Sequence, residues 1–178
     1  MRALRVYGIL FLATAIPFGV GMGALLAVVF AVFGMGAGVG LVGGLGSGVL
    51  FGLVMSLILG TLQLAGHRGA PRGMSLSPRQ DRQVPVPGGP DLIDRVQVAL
   101  TSLPAEVTHA DVVAGRFVAR TRRSWKSWGE EVVVQLSGSP AEPVATVSSR
   151  PTVRTTLVDY GVGRRNVERV VRALAPGA

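Results

Sequence analysis

The chain contains no cysteine. Disulfides, thiol redox chemistry, thiolate metal sites and cysteine nucleophiles are therefore excluded. Histidine is almost as scarce: His67 and His109 stand far apart, and neither has a second nitrogen or sulfur ligand near it in sequence. No metal and no cofactor is expected. Aromatic residues make up only 6% of the chain. The most telling lack is of charge, for Val6 to His67 holds no Asp, Glu, Lys or Arg. Nor does any part of the chain gather a nucleophile, a base and an orienting group in a recognisable pattern, so catalysis is not expected.

What fills the uncharged stretch is apolar and glycine-rich. A transmembrane helix needs ~20 apolar residues, and Val6–Phe33 and Leu41–Leu64 each suffice. The glycine-rich segment Gly34 to Gly40 between them holds a helix poorly, and the turn is placed there. Residues 1–65 thus read as a two-span transmembrane hairpin. A cleaved signal peptide does not fit, because the first apolar run is too long and a second span follows it directly. Arg2 and Arg5 precede the first span, His67, Arg68 and Arg72 follow the second, and the turn is uncharged. The excess of positive charge on the cytoplasmic side predicts an inner (plasma) membrane protein with both termini cytoplasmic. Pro17 is a candidate kink in the first span.

Small residues recur at every fourth position through the second span: Gly36, Gly40, Gly44, Gly48, Gly52, Ser56 and Gly60. The first span has its own row, Ala15, Gly19, Gly23, Ala27 and Ala31. In lipid such rows let two backbones approach closely. The pattern resembles the glycine-zipper segments of several oligomeric membrane proteins. One reading is that the two rows face each other and close the hairpin; the other is self-association. A row of spacing four drifts by about 40° per step, roughly 240° from Gly36 to Gly60, more than one straight partner helix covers. A homo-oligomer is therefore expected beside the internal packing.

Residues 66–90 carry five Pro, five Gly and four Arg without apolar periodicity. They read as a flexible basic linker beside anionic lipid. Residues 91–178 read as a cytoplasmic α+β domain. Leu92, Ile93, Val96, Leu100 and Leu103 recur at helical spacing up to Pro104. Alternation marks strands at Gly115 to Arg122, Glu131 to Leu136 and Val144 to Ser148, with Thr155 to Val158 as a candidate fourth. A last helix near Arg164 to Leu174 follows. The expected architecture is helix, three- or four-stranded antiparallel sheet, helix. A module of this size can bury a modest core without staples. The net charge of +8 is spread over all parts of the chain, which argues against a dedicated nucleic-acid face.

Two strings stand out in the domain. The first, Arg120 to Glu130, holds Arg120, Arg122, Arg123, Trp125, Lys126 and Trp128, including both tryptophans of the chain. Basic and aromatic residues together suit anionic lipid headgroups or a protein partner; alternatively the indoles cap the sheet core. A nucleic-acid strand is disfavoured because Glu130 and Glu131 adjoin the patch. The second string holds Arg150, Asp159 and Asn166. Arg150 and Asp159 are expected to pair, Asp159 to fix a turn and Asn166 to bond backbone at the last helix start, all structural roles.

The strings SWKSWGEEVVV, SSRPTVRTTLVDYG and RRNVERVVRAL resemble a recurrent pattern in uncharacterised small bacterial membrane proteins, over about residues 115–174. That resemblance implies no particular activity. The expected function is non-enzymatic: an integral membrane protein presenting a cytoplasmic module that binds protein or lipid. The alternatives are a small oligomeric channel or transport accessory built on the glycine-rich helices, and an enzyme acting on lipid-linked substrates around Arg150, Asp159 and the two tryptophans.

Overall fold

A computed structural model describes residues 2–67, 76–124, 127–153 and 155–175. The chain divides into two compact units, 1–65 and 66–178.

The first unit is a helical hairpin, α1 (Arg2–Val32) and α2 (Ala37–Gly66). Both helices are long and apolar enough to cross a membrane. At 1.5 Å per residue each is about 45 Å long, more than the hydrocarbon thickness of a bilayer. Pro17 lies inside α1 without ending it. The turn is tighter than the glycine content predicts. Gly34 takes φ +72°, and its N–H and that of Met35 donate to the carbonyls of Ala31 and Phe30. This is the left-handed glycine cap that satisfies the last carbonyls of a helix. Gly36, also at positive φ, leads directly into α2.

The two rows of small residues face each other. A Cβ added at Gly48 would lie 2.6 Å from the Cα of Gly19, and one at Gly52 2.5 Å from the Cβ of Ala15. Gly44 lies against Gly23, Gly40 against Ala27, and Gly60 against the ring of Tyr7. Each step of four along α2 is matched by a step of four back along α1. A single helix thus covers the row from Gly40 to Gly60, against the expectation that one partner cannot. That expectation assumed a straight partner. A repeat longer than 3.6 residues stays in contact when the helices wind around each other right-handedly. Phe18 and Phe51 stack beside this seam with ring centroids 4.1 Å apart.

The second unit is a five-stranded antiparallel sheet with two helices on one face, so the α+β architecture is as expected. The strands are β1 (Gln80–Pro85), β2 (Ala105–Asp111), β3 (Arg116–Thr121), β4 (Glu130–Gly138) and β5 (Pro143–Pro151). Their order is β1-β5-β4-β3-β2. The helices are α3 (Leu92–Thr101) and α4 (Val162–Leu174). Their apolar faces, Val96, Ala99 and Leu100 on α3 and Val167, Val170 and Leu174 on α4, close over Phe117, Ala119, Val132, Val134, Ala145 and Val147. Alternation puts every second strand residue into this core.

Three sequence expectations are corrected. The sheet has five strands rather than three or four. Residues 80–85, inside the stretch read as a flexible linker, form the edge strand β1, paired with β5 from Gln80 opposite Ser149 to Pro85 opposite Val144. Thr155 to Val158 is not a strand, because the place beside β5 that it would take is occupied by β1.

Candidate functional site: the tip between β3 and β4

Strand β3 ends at Thr121 and β4 begins at Glu130, so the basic and aromatic string forms the tip of a hairpin. Trp125 and Lys126 lie outside the described residues. On either side of them, Ser124 and Ser127 exchange backbone hydrogen bonds of 2.8 and 3.3 Å. Arg122 and Arg123 are exposed. Trp128 is 62% exposed, so it does not cap the sheet core. Arg120 belongs to β3 and faces away from the helices, 3.6 Å from Glu131.

Glu130 holds the base of the tip. It is fully buried. Its Oε1 accepts from the Ser127 hydroxyl at 2.8 Å, and its Oε2 from the Ser149 hydroxyl at 3.4 Å. Its backbone N–H donates to Thr121 Oγ1 at 2.7 Å, tying the two strands where they diverge. Removal from water disfavours the charged carboxylate. Burial thus raises its pKa to about 7; the negative charge of Asp159 adds to the rise, while the Ser127 and Ser149 hydrogen bonds oppose it. Burying a carboxyl without such partners is costly, and here both oxygens have one.

Asp159 lies buried just before α4. Its carboxylate accepts from the backbone N–H of Gly161 at 3.1 Å and of Gly163 at 2.9 Å. These are donors that a helix start leaves without intrahelical partners, so Asp159 fixes the turn into α4, where Gly161 takes φ +72°. It does not pair with Arg150, which is exposed. Asn166 is buried on α4, and its Nδ2 has no hydrogen-bond partner among the described residues.

Strand register reveals an arrangement that the sequence reading missed. Glu106 stands opposite Arg120, Arg120 opposite Glu131, and Glu131 opposite Arg150. A row of alternating charge thus crosses four strands on the face away from the helices. Opposite charges side by side stabilise cross-strand neighbours modestly. The row also makes the middle of that face electrically mixed. The second sequence-predicted group is therefore divided: Arg150 belongs to this outer face, while Asp159 and Asn166 lie on the helix side. Glu130 turns inward in phase with Val132 and Val134, whereas the sequence reading set it beside the basic string. The roles of Ser127 and Ser149 were not legible either, because each depends on a contact between separate strands or loops.

No protein-family model matches the chain, and no curated protein sequence matches it either. Its function must therefore be read from its own residues.

Proposed function

We propose that this chain is a non-enzymatic integral protein of the inner (plasma) membrane, in which a two-span hairpin anchors a cytoplasmic α+β module that binds protein or lipid. The observation that carries the reading is the inside-out order of the hairpin. Every buried residue of α2 up to Gly60 is glycine or serine, while Leu45, Leu50, Leu53, Leu57 and Ile58, like Leu12, Ile16, Val20 and Leu25 on α1, are exposed. A water-soluble hairpin buries its large apolar residues; one in lipid loses nothing by turning them outward and gains close backbone contact from small residues within. Arginine on the outer side of both spans and none in the turn supports cytoplasmic termini. The buried acids Glu130 and Asp159 are engaged in holding the tip and the start of α4, which supports a structural role for them.

Self-association belongs to this reading too. It would use the outer faces of the hairpin, where Gly8, Gly21, Gly38 and Gly46 have nothing within 4 Å. The rival reading, a channel or transport accessory, draws less support. The hydroxyls of Thr14, Ser47 and Ser56 bond to carbonyls of their own helices instead of standing free to line a path.

Reporter fusions at the C-terminus and in the Gly34–Gly36 turn test the proposal. A cytoplasmic C-terminus and an external turn are expected, with the protein resisting alkaline carbonate extraction. A C-terminus on the outside would overturn it. Discrete conductance from residues 1–70 alone would favour the channel.

A further inference from the structure

We infer that the β3–β4 tip is a docking surface for an anionic bilayer, with Arg122 and Arg123 on the headgroup charges and Trp128 seating its indole at headgroup level. The inference rests on the hairpin being a membrane anchor and names the ligand of the module it carries.

In the sequence Glu130 and Glu131 adjoin the basic string. The fold removes both acids from the tip. Glu130 is buried beneath it, bonded to Ser127 and Ser149. Glu131 stands on the sheet face beside Arg120. Arg122, Arg123 and Trp128 are left outward. An indole exposed to this degree is unfavourable in water and suited to the interface of a membrane, where its apolar body and N–H are both satisfied. Two arginines beside it gain from the negative surface potential of the cytoplasmic leaflet, about 1 kcal/mol each.

The covalent chain tethers the module to the membrane anchor. Residues 67–79 separate α2 from β1, and they span at most about 50 Å when fully extended. A module held within that distance meets the bilayer at high effective concentration, so two arginines and one indole suffice where a free module would need more. A polyanionic nucleic acid fits less well. The neighbouring sheet face presents the mixed row Glu106, Arg120, Glu131 and Arg150, not a basic track.

Trp125 and Trp128 are the only tryptophans of the chain, so fluorescence reads the tip in the full-length protein. Trp125→Phe leaves Trp128 as sole reporter, placed in nanodiscs of phosphatidylcholine alone or mixed with phosphatidylglycerol. In the anionic discs the emission is expected to shift to the blue and to be quenched by brominated lipid, with salt reversing both effects. Adding Arg122→Gln and Arg123→Gln should lower the ratio of docked to undocked tip about thirty-fold; circular dichroism checks that this variant keeps its fold. Equal emission and quenching in both kinds of disc would overturn the inference. So would a response that appears only on adding RNA or a soluble protein. Failure of the protein to remain in discs after carbonate treatment would instead overturn the anchor itself.

Discussion

At Glu130 a carboxyl group is closed off from water and shares its oxygens with two serine hydroxyls. Its pKa is raised to about 7, so the folded module holds the proton more tightly than the unfolded chain does. Stability from this group is then complete at acid pH and falls as pH rises from the ordinary carboxyl range through about 7. Glu130→Gln keeps partners for both serines and removes the charge. Its melting temperature is expected to exceed that of the parent by several degrees at about pH 8 and to match it at about pH 5. A parallel shift at both pH values would refute the burial account. Glu130 is in phase with the buried Val132 and Val134, although the sequence reading set it beside the basic string. That this costs the module little at low pH depends on Ser127 and Ser149, which alternation cannot supply.

At the scale of elements, the hairpin seam makes the sharpest contrast. At Gly44 an added methyl would run into the Cα of Gly23, whereas at Gly46 it would meet nothing within 4 Å. Gly44→Ala is expected to lower the unfolding temperature of the detergent-solubilised hairpin, and Gly46→Ala to leave it unchanged or raise it through helix propensity. Equal effects would show that the seam is not where the two rows place it. The rows themselves were plain in the sequence because spacing is a local property. Which helix covers them was not, because it depends on supercoiling. The strands divide in a similar way. β3, β4 and β5 carry alternating apolar residues and were legible. β1, with Asp81, Arg82, Gln83 and Pro85, is an edge strand held by backbone pairing, and edges favour such charged residues and proline. β2 has a register shift between Val107 and His109, and a bulge of this kind breaks the phase that alternation is read from.

For the whole molecule, the boundary of the folded module follows from β1. Val84 and Val86 belong to the buried core, and β1 covers the free edge of β5. A fragment of residues 76–178 is expected to give a dispersed amide NMR spectrum and one cooperative unfolding transition. A fragment of residues 91–178 is expected to be poorly dispersed and to aggregate through the bared edge of β5. A well-folded shorter fragment would show that β1 is an accessory. The sequence by itself determined the division into an apolar hairpin and an α+β module, the rows of small residues and the three central strands. Each of these is written in composition or in a short period, which neighbouring residues suffice to set. Only the tertiary structure decided that one helix covers the glycine row from Gly40 to Gly60, that part of the linker is a strand, and that the tip turns its acid inward and its arginines outward. These outcomes depend on pairing between residues distant in the chain, which no local pattern encodes.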